Sequence, residues 1–407
     1  MLGLIVAVCA IALALAGLRR HRDLASPYVL FSVGWLFPWA LSELALSSAQ
    51  SPLTAGTIRL LVEASISFLL GMAALAPLVA PDRPLFSLTD WRLGFDRTRL
   101  RRATYLIAIL STFGLAFEAA VAGTLPILAP QEISTVVYRH FALPFVHYLT
   151  ISFIVVALLG ATELRTFGIR GGRFAVALVI VSTLAIVALL ARQQVVLIAL
   201  GVGLLVHYTR RGGIPISWIV ISGTVALALF VVAAANRGLS SEQAAELTGT
   251  SMPTMLAPLV LPYLYLTLNF TVLQFMTESH LPATLGANVF EPLLSLTLTR
   301  RLVPIPNVEE EFGWFNTYTF VWPIYSDFRE IGVIVVPFFY GLLTMWLYVR
   351  MRRDGTPTAL FLYALAAFVV GFLFQSNGYG FTPLYVFAAE IVWAMWYAKR
   401  RTAIEPP

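Results

Sequence analysis

The sequence predicts an all-α protein that crosses a membrane many times, and three observations predict it. Hydrophobic residues fill 59% of the 407 positions and charged residues only 12%, about half the charged share of a soluble domain. Apolar runs of spanning length, roughly 17–25 residues, recur along the chain. Short arginine clusters stand between them in place of mixed surface charge. The net charge of +6 therefore reads as membrane orientation and not as nucleic-acid binding.

The first run covers residues 2–18. No charged region precedes it, and Arg19, Arg20, His21 and Arg22 follow it. It reads as a retained span with its N-terminus outside, not as a cleaved signal. Cys9, the single cysteine, lies within it, so no intrachain disulfide forms. Further runs fall near 27–47, 57–80, 103–121, 147–163, 174–191, 194–208, 216–235, 332–349, 357–375 and 381–398. This gives about eleven transmembrane helices, with a tight connection at Arg192-Gln193-Gln194. Alternating them from an outside N-terminus puts twenty of the 27 basic residues, and the C-terminus, on the cytoplasmic side. Arg59, Arg139, Arg192, Arg237, Arg300, Arg301 and Arg329 remain outside.

The same alternation assigns the apolar run 257–276. Counting it as a crossing would put 350–353 and the 399–401 tail outside, against the charge rule. With Pro258, Pro262, Tyr263, Tyr265 and Asn269, it reads as an interfacial or re-entrant helix on the outer face. The whole of 1–407 is then one integral membrane domain, and 236–331 forms its large outer loop. Among the inner loops only 81–102 is long, with an amphipathic Trp91-Arg92-Leu93-Gly94-Phe95 at headgroup level. No solenoid period or inverted repeat is visible. Function is expected outside.

Arginines held at the outer surface suit a phosphate, which a guanidinium grips through two parallel hydrogen bonds. If that phosphate leaves, they also stabilise the charge that develops. A single such arginine is more simply read as snorkelling to lipid headgroups; Arg192, Arg237, Arg300 and Arg301 together point to a substrate, with Arg139 and Arg329 beside them. Asp327, just ahead of the run that starts at Gly332, suits a base for a sugar hydroxyl, or equally a helix cap. Asn316, Thr317 and Tyr325 suit hydrogen bonds to sugar hydroxyls, although Tyr and Asn are common at interfaces without a ligand. His140 and His147 are further candidate bases, and a lone interfacial histidine is more often structural.

Glu309, Glu310 and Glu311 read as a solvated acidic run or as partners of Arg300 and Arg301. Glu63, Glu118 and Glu390 are carboxylates within spans, of the kind that often marks function. No His/Cys/Asp/Glu spacing suggests a metal set, and there is no phosphate-cradling glycine loop or Gly-x-Ser-x-Gly elbow. No cofactor is called for. Any energy for a reaction resides in the substrate.

The segment Asn316-Thr317-Tyr318-Thr319, then Tyr325-Ser326-Asp327-Phe328, Gly332 and Gly341, resembles the O-antigen polymerase family (Wzy-type oligosaccharide repeat-unit polymerases). So do the Arg192 turn and the Gly286-Ala287-Asn288-Val289-Phe290-Glu291-Pro292 piece. The resemblance covers the C-terminal half. One departure stands out: the family tends to place Gly directly after Asp-Phe, where this chain has Arg329.

The resemblance implies a bacterial inner-membrane glycosyltransferase of the C-type fold, working at the periplasmic face without metal or nucleotide sugar. It would move a glycan from an undecaprenyl diphosphate donor onto an undecaprenyl-diphosphate-linked acceptor, with a chain-length regulator as a further partner. Arg192 and Arg237 would grip the diphosphate; Asp327 and Tyr325 would line the acceptor site. An O-antigen ligase acting on lipid A-core, or a flippase for the lipid-linked sugar, are the rivals. A flippase predicts charged residues along a mid-membrane path, whereas the polar residues here gather at one face.

Overall fold

The computed structural model describes residues 1–80, 85–128, 141–168, 172–211, 213–215, 257–279, 281–299 and 317–400, with positions 217, 223 and 249. Among these residues the regular structure is helical; extended pairing is limited to one bridge between Phe95 and Lys399. Among the described residues five helices are long and apolar enough to cross a membrane: Leu2–His21, Ala55–Leu78, Arg97–Ala122, Val146–Phe167 and Val321–Asp354. Arg173–Ala188 and Pro357–Gly371 are shorter apolar helices. The expected run 216–235 lies almost wholly outside the described residues.

The chain divides into two compact units: 1–83, 220–352 and 366–384 form one, and 84–219, 353–365 and 385–407 the other.

In the first unit, α1 (Leu2–His21) ends where its last turn gathers Arg19, Arg20 and His21, with Arg22 in the left-handed region as cap. Cations there complement the helix dipole. The expected span 27–47 is not one helix. It runs as α2 (Pro27–Phe31), a π-helical turn Ser32–Leu36 and α3 (Phe37–Ser42). Pro38 has no N–H to donate to the carbonyl four residues back, and a wider turn absorbs the mismatch. Trp35 in this turn meets Phe320 edge-on at 4.7 Å and Phe270 at 5.4 Å, and donates its indole N–H to Ser65 Oγ at 2.8 Å.

Thr54 caps α4 (Ala55–Leu75) by accepting the Thr57 N–H. The run expected as an interfacial helix is α11 in chain order (Ala257–Glu278), 22 residues with Pro262 inside. It packs against α3 and α4, burying Leu268, Phe270, Val272, Leu273 and Met276. The Tyr263 hydroxyl accepts the Leu46 N–H and lies 2.9 Å from Gln50 Oε1, pinning it to the connection ahead of α4.

In the second unit, α5 (Leu88–Gly94) is the expected amphipathic piece: Trp91 is buried and Leu93 exposed. Asp96 caps α6 (Arg97–Ala122) by accepting the Arg99 N–H at 2.9 Å. The next span bends at Ser152 into α7 (Val146–Ile151) and α8 (Phe153–Phe167). Helix α9 (Arg173–Ala188) returns along α8, Gly160 facing Ala175 and Val179. Then come α10 (Arg192–Thr209) and, at the end of the chain, α15 (Thr382–Ala398). Arg97 and Arg101 both bind Glu163 Oε1, at 2.9 and 2.6 Å, which fastens the start of α6 to the end of α8.

Candidate functional site

Asp327 is the best-defined part of the candidate site. The helical segment holding it starts at Val321, eleven residues before the expected span at Gly332, and continues to Asp354 as α13, after the short helix α12 (Glu291–Leu296). The segment is interrupted at Arg329, whose φ of 54° and ψ of −146° leave the helical region. This break turns the first two turns of α13 away from the rest and aims 327–329 at the chain segment 281–290.

Asp327 is 1% exposed. Its carboxylate accepts the Asn288 backbone N–H, the Val289 N–H at 2.7 Å, the Asn288 side-chain amide at 2.9 Å and the Thr284 hydroxyl. Thr284 N–H in turn donates to the Ser326 carbonyl at 3.0 Å. Both carboxylate oxygens are thus committed to protein donors, and burying a charge is tolerable only on those terms. With its oxygens held in this way Asp327 positions the backbone around it, and service as a base for a sugar hydroxyl would require one of these donors to move. It anchors the Gly286–Pro292 piece, whose resemblance was noted without a contact to explain it.

Arg329 reinforces the same anchor. Its guanidinium donates to the Leu281 carbonyl and lies 5.3 Å from the Tyr325 ring centre. Tyr325 is half-buried under it. Thr317 lies on a strap, 317–320, fixed by Tyr318 N–H to Gln375 O at 3.2 Å and Phe320 N–H to Leu373 O at 2.9 Å. The Thr317 hydroxyl is buried and has no hydrogen-bond partner among the described residues. The site therefore brings together Tyr325, Asp327 and Arg329 in the first unit, and Thr317 stands on the strap that leads into α13. Thr284 and Asn288 belong with them and escaped sequence reasoning, because nothing in their spacing marks a carboxylate 39 or more residues away.

Arg192 belongs to the second unit. The turn lies three residues earlier than expected, at 189–191, with Leu190 at φ 57°, and Arg192 is the first residue of α10. A guanidinium at a helix N-terminus adds its charge to the positive end of the helix dipole, which favours an anion there. The same unit holds a pair sequence reasoning left apart. Glu118, fully buried, lies 3.1 Å from His147 Nδ1 through one oxygen and 3.2 Å through the other, and accepts the Leu143 N–H at 2.9 Å. Glu390 accepts the Ser152 hydroxyl at 2.8 Å. Arg139, His140, Arg237, Arg300, Arg301, Asn316 and the 309–311 acidic run lie outside the described residues. Among the described residues no three His, Cys, Asp or Glu side chains come together as metal ligands.

Neither a curated protein nor a solved structure matches this chain. A family model does, described as "Putative O-antigen polymerase", and it matches residues 23–386. That range takes in the Arg192 turn, the Glu118–His147 pair and the whole Asp327 anchor. It also extends the likeness well beyond the C-terminal half, in which the motifs stand. The chain is a multi-pass membrane protein and belongs to the O-antigen polymerase family.

Proposed function

We propose that this protein polymerises oligosaccharide repeat units carried on undecaprenyl diphosphate, at the periplasmic face of the bacterial inner membrane. The observation that carries the reading is the family match over residues 23–386. The glycan on the donor is attacked at its anomeric carbon by a hydroxyl of the acceptor's terminal sugar, and undecaprenyl diphosphate departs. Arg192, at the start of α10, and Arg237 spread the charge on the leaving diphosphate, so that neither metal nor nucleotide is needed. Arg139, Arg300 and Arg301 draw in the anionic lipid, and Asn316, Thr317 and Tyr325 hold sugar hydroxyls. Asp327 and Arg329 are positioning residues, which keep 281–290 against the α13 break. We further place the fold with the C-type membrane glycosyltransferases and a chain-length regulator beside it.

The test is a reconstitution. Purified protein in proteoliposomes, given lipid-linked repeat units alone and excess chelator, is expected to yield a ladder of longer glycans. A ligase would yield product only when lipid A-core is added. A flippase would move labelled lipid between leaflets and make no ladder, and either result would overturn the proposal.

A further inference from the structure

The Glu118–His147 pair has no part in the function proposed above, and its geometry is that of an oriented base. Glu118 has no exposed surface and His147 is 13% exposed. An ionised carboxylate only accepts hydrogen bonds, so a neutral imidazole opposite one presents N–H from Nδ1, which makes Nε2 its basic nitrogen. Both Glu118 oxygens lie within 3.2 Å of Nδ1, and Leu143 N–H holds one of them from the other side. This is how a buried carboxylate fixes the tautomer of a histidine base and stabilises the imidazolium that forms.

Topology gives the pair its company. Glu118 stands in the last full turn of α6, opposite the Arg97 and Arg101 end. His147 opens α7, and because α8 and α9 run antiparallel, the turn before Arg192 returns to that same end of the unit. The short helical turn Pro126–Leu128 also meets α9. Among the described residues Glu118 from α6 binds His147 directly, and Glu390 from α15 binds Ser152, at the start of α8.

We propose that His147, oriented by Glu118, is the base that activates the acceptor hydroxyl; this rests on the polymerase reading above. The hydroxyl oxygen bonds to the anomeric carbon as the bond from that carbon to the diphosphate oxygen breaks, and the diphosphate leaves with the bonding electrons. The hydroxyl proton passes to His147 Nε2. The imidazolium is stabilised against the Glu118 carboxylate until water takes the proton away. A sugar hydroxyl is too weakly acidic to attack well without such help.

A mere anchor for the 141–147 segment would behave differently, and His147→Gln separates the two. Its side-chain amide still donates to Glu118 but carries no basic nitrogen. In the reconstituted assay H147Q is expected to lose roughly 10²-fold or more in kcat, with KM for the lipid substrate and the unfolding midpoint unchanged. The wild-type rate is expected to fall on the acid side with the uptake of one proton, and the residual H147Q rate to lack that limb. Glu118→Gln removes the anion that stabilises imidazolium, so it too is expected to lower kcat with KM unchanged.

Wild-type turnover in H147Q, or an acid limb that survives in it, overturns the proposal alone. If H147Q does not fold, wild-type kcat in folded E118Q overturns it. Wild-type protein that makes no ladder overturns the polymerase reading, and this proposal with it.

Discussion

Asp327 holds Asn288 twice, accepting both its backbone N–H and its side-chain amide, and takes the Val289 N–H with the same carboxylate. Asp327, which the sequence offered as a base or a helix cap, clamps this segment. Asp327→Asn turns an amide donor towards these buried N–H groups. The expected cost is about 3 kcal/mol, the penalty of leaving such groups unpaired, read as a lower unfolding midpoint in detergent. Unchanged stability with lost turnover would restore the base reading.

Arg329 occupies a backbone conformation, φ 54°, that favours glycine, and glycine is what the family pattern tends to carry there. The guanidinium compensates by bonding the Leu281 carbonyl and packing over Tyr325. Arg329→Ala keeps the strain and loses both contacts; Arg329→Gly loses the contacts and the strain together. R329G is expected to be more stable than R329A by about 1 kcal/mol, checked by paired denaturation curves. Equal stability would mean that the break in α13 costs nothing.

Helices α4 and α13 touch through two glycines. A Cβ on Gly71 would stand 2.0 Å from the Phe338 carbonyl oxygen, and one on Gly341 would stand 2.1 Å from that of Phe68. Alanine at either position must push the helices apart and is expected to cost about 1–3 kcal/mol. The second substitution is expected to cost less than the first, because the gap is already open. A double-mutant cycle measures this, and full additivity would speak against the shared contact.

Asp96 caps α6, and the Arg99 backbone N–H holds its carboxyl below the ordinary carboxylate range. A depressed carboxylate contributes stability above its unfolded pKa and loses it as pH falls through the folded value. Asp96→Ala is therefore expected to cost about 1 kcal/mol or less at neutral pH, since solvent reaches the half-buried group. The difference from wild type is expected to vanish in acid. A gap that grows on acidification would reverse the sign of the argument.

The helical, multi-span character was legible because burial in lipid demands long apolar runs, and 2–18, 57–80 and 103–121 each became a helix. The break of 27–47 was less so. Pro38 signalled it, but a π turn depends on what Trp35 packs against. Asp327 and Arg329 were legible as a place and not as a role. Charge and position are written locally, whereas Thr284 and Asn288 come to Asp327 only through the fold. Glu118 and His147 were each visible and remained unpaired for the same reason: 29 residues and a loop separate them.

The central claim is that cationic side chains at the periplasmic surface neutralise a departing diphosphate, and Arg192 tests it most directly. In proteoliposomes supplied with lipid-linked repeat units, Arg192→Ala, folded as judged by its unfolding midpoint, is expected to lower the rate of glycan lengthening by roughly 10²–10³-fold. Arg192→Lys is expected to recover part of that rate, since a point charge replaces the fork. A ladder from R192A that grows as fast as the wild-type one would contradict the account.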